Sequence, residues 1–470
     1  MNYINRKNNT IIVLLLILLS ISNYSFSQIE LSKEERLKHE ADIIKKLEIE
    51  LGEYVFHVCG KNKEGFVSCI TISQITSPIP KIPSSVKEFK YLENFNAFSI
   101  GLEEFPVFIL ELDYLKIVRL FTNNIKSIPD NFESSPIEFL NLAGNQLTTL
   151  PSSIGNSKIK TLNIGANNIP EFPKAITKMQ YLDSLAIGGN PFKYLPNEIG
   201  NLKKLRIITA QETALTTLPE GISELKNLKK LVLDASPINS LPKGIQGLKS
   251  LEYLNLNSTK IEELPDYIIN LPKLNFLALK SSNIKKLPEN FHEFESLRGL
   301  RIENTAISSF PKNFHKMSKL EMLYIGSCPN IKSLPDNLSG LKNLKRLSLN
   351  YLELGKVPNF IFELDSLEKL SLKRNKLRSI PDELANLKNL KEIELNMNPL
   401  MTYPKALCEL PNIEKINVNQ TELTTLPLEA LNPPKLKCIQ IYYNPIRSLP
   451  REFLILKKNR CGLPDKIRIE

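Results

Sequence analysis

Apolar positions recur along the chain in one spacing, clearest in LEKLSLKRNKLRSIPDELANL beginning at Leu367. There Leu367, Leu370, Leu372, Asn375, Leu377, Ile380 and Pro381 fit L-x-x-L-x-L-x-x-N-x-L-x-x-I-P, and Leu384 and Leu387 carry the apolar set onward. The same grid runs back through Pro358 to Pro83 and forward to Pro450. Most steps are 23 residues, with steps of 22 at Pro151 and Pro173 and one of 24 at Pro335. A fixed period kept over most of a chain predicts stacked units, none of which can bury its apolar face alone.

Within a unit, Leu370 and Leu372 have period two, so they enter a strand facing inward while Lys369, Ser371 and Lys373 face out. The chain turns at Asn375, whose amide can answer backbone groups that the turn leaves unpaired in its own and the neighbouring unit. Pro381 fixes φ and removes a ladder donor, which suits an extended or single-turn return segment. About sixteen such strands, roughly 4.8 Å apart, give a parallel sheet on the order of 75 Å long. The predicted architecture is an α/β solenoid with an N-terminal helix and hairpin cap and a C-terminal cap.

The flanks break the grid. Residues 1–27 place Arg6 and Lys7 before an apolar run from Ile11 to Ile21 and small Ser25 and Ser27, the layout of a cleaved secretory leader that leaves no membrane span. Residues 28–68 form the N-terminal cap. Ser32 and Glu35 make a capping box for a helix over 32–51, with Leu37, Ala41, Ile44, Leu47 and Leu51 on its packed face. Two strand-like runs then fold about residue 64 and set Cys59 opposite Cys69, an attractive disulfide in an exported chain. The repeats occupy 69–450. Over 451–470 Ile467 and Ile469 alternate as a last edge strand, and Cys438 and Cys461 are candidates for a second bridge.

The turn position divides the repeats. Asn occupies it at Asn123, Asn145, Asn167, Asn190, Asn375, Asn398 and Asn444. Thr213, Ser236, Thr259, Ser282, Thr305 and Cys328 hold it in a consecutive middle block, followed by Leu352. Hydroxyls and thiols reach less far than an amide, so this block should carry fewer ladder bonds. Cys328 reads as a buried ladder member and Cys408 as unpaired.

Composition fits a scaffold more than a reaction centre: the chain has no Trp and only four His. The net charge of +11 is made from charges of both signs spread through the repeats. Without a basic arm or an aromatic single-strand platform it does not indicate nucleic acid.

The repeat resembles the leucine-rich repeat family, and within it the class of 23-residue units found in Ras-suppressor proteins, plant intracellular Ras-group proteins and bacterial surface or secreted repeat proteins. The SCPNIKSLP stretch around Cys328 is similar to repeats of plant resistance proteins. The resemblance implies a right-handed horseshoe that binds proteins, or less often glycans, on its concave face. The leader and the missing Asn of the middle block depart from the intracellular Ras-type pattern.

Candidates for chemistry are few. His292 and His315 fall one repeat apart on the convex side but lack the further ligands of a metal site, and Glu392 and Glu394 read as a wet face. No catalysis, metal or cofactor is expected. Two outward patches are better candidates for binding. One is a gully of small residues, Ala143, Gly144, Gly165, Ala166, Gly188 and Gly189, beside Asn141, Asn163 and Ala186. The other is Tyr253, Phe276, Arg298, Arg301, Tyr324, Arg346, Tyr351, Lys373 and Arg374, a composition suited to hot spots and to an acidic partner. The sequence thus predicts a non-enzymatic recognition scaffold, secreted or in the cell envelope (periplasm or surface), with a protein ligand; a glycan-binding adhesin or envelope structural protein is the alternative.

Overall fold

The computed structural model describes residues 32–51, 56–73, 78–331, 333–453 and 468–469. The predicted leader lies outside the described residues, as does most of the predicted C-terminal cap.

The grid folds as its spacing requires. In the unit that begins at Leu367, Lys369–Ser371 is a strand, and Leu370 and Leu372 point into the core with no exposed surface. Lys369 and Lys373 stand half-exposed on the open side, whereas Ser371 on the same side is buried. Pro381, with φ −71°, opens a single 3-10 turn over Asp382–Asn386, where its fixed φ fits and its missing N–H is not needed. Leu377, Leu384 and Leu387 close the coil from that side, fully buried.

Each strand pairs in parallel with the same position one coil later: Tyr253 with Phe276, Phe276 with Gly299, Gly299 with Met322 and Met322 with Arg346. The result is a sheet of eighteen strands among the described residues, running to Cys438–Gln440 and not closing on itself. Its buried face meets the convex turns across one continuous apolar core from Ile43 to Phe453.

The turn residues do what their chemistry allows. Asn375 Nδ2 donates to the carbonyls of Leu349 and Leu372, both at 2.9 Å, and its Oδ1 accepts from the N–H groups of Leu352 and Leu354 at 3.0 and 3.1 Å. One amide thereby stitches two coils. Among the described residues the hydroxyls of Thr259 and Ser282 bond only the carbonyl three residues back, at 2.7 and 2.6 Å. Cys328 is buried, its sulfur 3.2 Å from the Ile302 oxygen and 3.3 Å from that of Gly326. The middle block therefore carries fewer inter-coil bonds, as expected. The residue before each turn position is left-handed from Ser99 (φ 56°) to Tyr443 (φ 58°), including the β-branched Thr122 (φ 56°). That conformation costs an L residue roughly 1–2 kcal/mol, which the surrounding ladder bonds offset.

The N-terminal cap has helix α1 (Lys33–Leu51) followed by strands β1 (Phe56–Lys61) and β2 (Val67–Ile72). The capping box forms: Ser32 N–H donates to Glu35 at 2.8 Å, and Glu35 N–H to Ser32 Oγ at 3.2 Å. The packed face differs from expectation. Glu40, Ile43 and Leu47 are buried, Leu37, Ile44 and Leu51 flank them, and Ala41 is exposed. The helix is turned because Glu40 reaches into the cap to accept the Val67 N–H at 2.9 Å. Burial lifts the Glu40 carboxyl above the ordinary range. Its protonated form is the one folding prefers, so this contribution is full below that range and is lost as pH rises through the lifted value.

Strand β2 belongs to both the hairpin and the solenoid: it pairs antiparallel with β1 and parallel with Asn94–Ala97. β1 thereby covers the first edge of the long sheet, which would otherwise offer unpaired backbone groups. Cys59 and Cys69 are bridged, with Cα atoms 5.0 Å apart. Cys328 and Cys408 are free thiols. Cys438 is disulfide-bonded, while Cys461 lies outside the described residues. At the far end Arg468–Ile469 pairs in parallel with Ser448–Leu449, a short closing ribbon.

Candidate functional site: the concave wall

The outward strand positions divide into two stretches. From Asn94 to Thr209 they hold amides, hydroxyls and apolar groups, and Arg119 is their one charge among the described residues. Arg119 donates to the side-chain oxygens of Asn94 and Asn96 at 3.1 Å each and lies 4.8 Å above the Phe139 ring. It is spent inside the wall.

The gully of small residues lies in this stretch, and its glycines have a packing reason. A Cβ on Gly188 would sit 2.6 Å from the Gln211 carbonyl oxygen and 2.8 Å from its Oε1. Gln211 of the next coil lies across Gly188 and buries it. Gly189 is left-handed at φ 67°, and a Cβ there would be 3.0 Å from Ala166 N. Asn141 and Asn163 each accept the backbone N–H two residues on, Ala143 and Gly165, at 3.0 Å. Asn255 and Asn417 make the same turn elsewhere. Asn255 also donates from its amide nitrogen to Asp234 at 3.3 Å.

From Lys230 onward the wall is aromatic and charged. Tyr253 and Phe276 stack with centroids 5.3 Å apart. Lys230 covers the outer face of Tyr253 at 5.4 Å, and Phe276 lies over Gly299, where any Cβ would strike its ring. Arg301 is ion-paired to Glu303 and its guanidinium is 5.5 Å from the Tyr324 centroid. Tyr351 and Arg374 stand on the left-handed turns, with the guanidinium 5.0 Å from the ring. Lys373 lies beside them, its backbone N–H bonded to Asn350 Oδ1 at 2.8 Å. Arg346 is exposed and makes no ion pair among the described residues.

Arg298 is placed differently from the rest of that patch. It belongs to a row along one flank of the sheet, one residue per coil, linked by successive backbone hydrogen bonds. The row reads Glu93, Lys116, Glu138, Lys160, Asp183, Arg206, and later Arg298, Glu321, Lys345, Glu368, Lys391, Glu414, Lys437. Signs alternate within each of these two stretches; between them the row runs Lys229, Glu252 and Asn275, so Arg206 is followed by a like charge and Arg298 is preceded by a neutral amide. Lys160 meets Glu138 at 2.7 Å, Lys391 meets Glu368 at 2.9 Å and Lys437 meets Glu414 at 2.7 Å. Glu321 takes both Lys345, at 2.9 Å, and Arg298. These two cations hold the Glu321 carboxyl below its usual range, so its contribution is present above that range and is lost as pH falls through the lowered value. Aligning the coils on Leu reveals this row, a signal that separate inspection of charged patches does not use.

Near the C-terminal end the wall dips into a depression of about 530 Å³ lined by Arg301, Tyr324, Arg346, Lys369, Glu392 and Glu394 among others. Glu392 and Glu394 are outward, as predicted, and share Lys369 at 3.1 and 3.5 Å. Burial pulls the Lys369 ammonium down in pKa, and the two carboxylates more than offset it, leaving it raised. On the convex side His292 faces the carbonyl of Glu289 and His315 the amide of Asn337, so the two rings serve separate partners.

Cys408, on the convex turn Lys405–Glu409, is half-buried. Burial, helped by the Glu429 and Glu409 carboxylates, pushes its thiol up to about 11 from an ordinary 9.0. Alkylation of the native protein at pH 8 should therefore be about 100-fold slower at Cys408 than at an unstructured thiol. Peptide mapping after timed iodoacetamide treatment reads this directly; labelling as fast as in urea would contradict it.

Three family descriptions match the chain: "Leucine-rich repeat region" over residues 293–453, "Leucine rich repeat" over 226–284 and "Leucine Rich Repeat" over 136–157. No curated protein matches its sequence. Among solved structures, a leucine-rich repeat protein of Leptospira interrogans is 25% identical with a TM-score of 0.64, over 84% of this chain and 94% of that one. The plant peptide hormone receptor RGFR1, solved in complex with RGF2, is 26% identical with a TM-score of 0.57, over 84% and 68%. An internalin of Listeria monocytogenes, at 22% identity and a TM-score of 0.54 over 65% and 86%, shares the fold. By period, coil geometry and these matches, the chain belongs to the leucine-rich repeat family.

Proposed function

We propose that this chain is a non-enzymatic recognition scaffold, secreted or held in the cell envelope, that binds a protein on its concave wall. The observation that carries the reading is the open sheet itself, with an aromatic and cationic stretch from Tyr253 to Arg374 on a rigid, ladder-bonded frame. Anchoring aromatics and arginines on such a surface are what a partner's side chains need. The leader-like residues 1–27 and the Cys59–Cys69 bridge support an oxidising destination. A receptor among the similar structures was solved with its peptide ligand, which supports a polypeptide partner.

A glycan platform is less well supported. The Tyr253–Phe276 stack lies between Lys230 and Gly299, and Phe98 stacks on Phe121 with centroids 4.6 Å apart. Rings stacked on one another have fewer free faces for a sugar.

Capture from envelope and secreted fractions tests the reading, using residues 28–470 as bait. The wild-type chain should retain a partner that the Phe276→Arg, Arg301→Glu double variant loses with its circular dichroism unchanged. Equal capture by both baits would remove this stretch of wall as the binding site.

A further inference from the structure

Resting on the protein-binding reading, we infer that the depression between Tyr324 and Glu394 is a bipolar docking subsite. It would take a polypeptide segment that presents a carboxylate to Arg346 and a cationic side chain to Glu392 and Glu394.

The charges around the cavity do not pair off evenly. Arg301 is neutralised by Glu303, and Lys391 by Glu368 at 2.9 Å. That leaves Arg346, Lys369, Glu392 and Glu394. Lys369 is held by both carboxylates, at 3.1 and 3.5 Å, so two anions share one cation. Arg346 has no ion pair among the described residues although it lines the same depression and is exposed. The cavity is thus balanced in sum and unbalanced in space, with a free guanidinium at one end and a surplus carboxylate at the other.

Strand register fixes the separation. Arg346 pairs with Lys369, and Lys369 with Glu392. Two strand spacings put the poles about 10 Å apart along the solenoid axis. A uniformly acidic partner would satisfy Arg346 and be repelled by Glu392 and Glu394; a uniformly basic one would meet the reverse. Only a segment bearing both signs in the right order answers both ends, which makes the subsite a device for orientation as well as affinity.

Selection of a random linear peptide library on the full chain tests this. Enriched peptides should carry one acidic and one basic residue in a preferred order. Their affinity should fall about tenfold on Arg346→Gln and on the pair Glu392→Gln, Glu394→Gln, with unchanged thermal melting of both variants. Synthetic peptides with the two charges exchanged should bind no better than scrambled controls. Enriched peptides of a single sign, or peptides that bind both variants as well as the wild type, would overturn the subsite and leave the protein-binding reading standing. Absence of any enrichment would also overturn it. Loss of the reading itself is registered separately, by failure to capture a partner from cell fractions.

Discussion

Asn375→Ala should lower the unfolding free energy by about 3–5 kcal/mol, whereas Thr259→Val should lower it by about 1. The two residues occupy the same place in their coils, and the difference lies in what each holds. Removing the Asn375 amide takes away the partner of the Leu349 carbonyl and of two N–H groups, while the Leu372 carbonyl keeps the Asn398 amide at 2.9 Å. Each buried unpaired group costs roughly 1–3 kcal/mol, reduced where a water can enter. The Thr259 hydroxyl satisfies only the Leu256 carbonyl. Position sharpens the contrast. The seven preceding coils, from Thr213 to Leu352, already lack an amide at this place, so losing Asn375 would lengthen that run to eight. Solenoid stability is a sum of local and neighbour terms, and urea unfolding of the Asn375 variant should lose its single transition there. Equal midpoints for the two variants would show that the ladder is not what joins the coils.

The second large effect is expected at the cap. Replacing Cys59 and Cys69 together by Ser should cost roughly 3 kcal/mol, the loop-closure value for a bridge of this short span. The sequence separation is 10. Substitution is the right test because a reductant would also open the bridge at Cys438. Without the bridge, β1 should separate from β2 more readily and uncover the first edge of the long sheet. Faster amide exchange confined to residues 56–72, and a greater tendency to associate, are the signatures. Exchange unchanged in the hairpin would mean that α1 and Glu40 hold the cap unaided.

Much of the fold was legible because one short rule repeats. The spacing of Leu370, Leu372 and Pro381 decides strand, core and return turn, and a rule read many times over tolerates single exceptions such as Leu352. The capping box and the Cys59–Cys69 pairing were legible for a local reason, since each depends on residues close in sequence. The face of α1 was not. Ala41 follows the helical period of the apolar set, but the orientation was settled by a buried carboxylate reaching for the Val67 N–H. The wall was legible in composition and not in pairing. Arg298 and Arg346 look alike in the sequence, yet one is tied to Glu321 in the flank row and the other lines the depression with no ion pair among the described residues. Likewise Gly188 reads as an opening for a ligand, whereas Gln211 from the next coil already lies across it.

The alternating flank row bears on how the chain avoids misthreading. Its exposed pairs add little to the energy of the finished structure, each worth at most about 1 kcal/mol. Their value changes for a wrong assembly. If the coil of Lys345 looped out and its neighbours closed the gap, Glu321 would meet Glu368; if the coil of Glu368 did, Lys345 would meet Lys391, like beside like in either case. Leucines cannot make that distinction, because every coil offers the same ones. The flank charges act as a parity check on a repetitive text, penalising a skipped line that the core would accept.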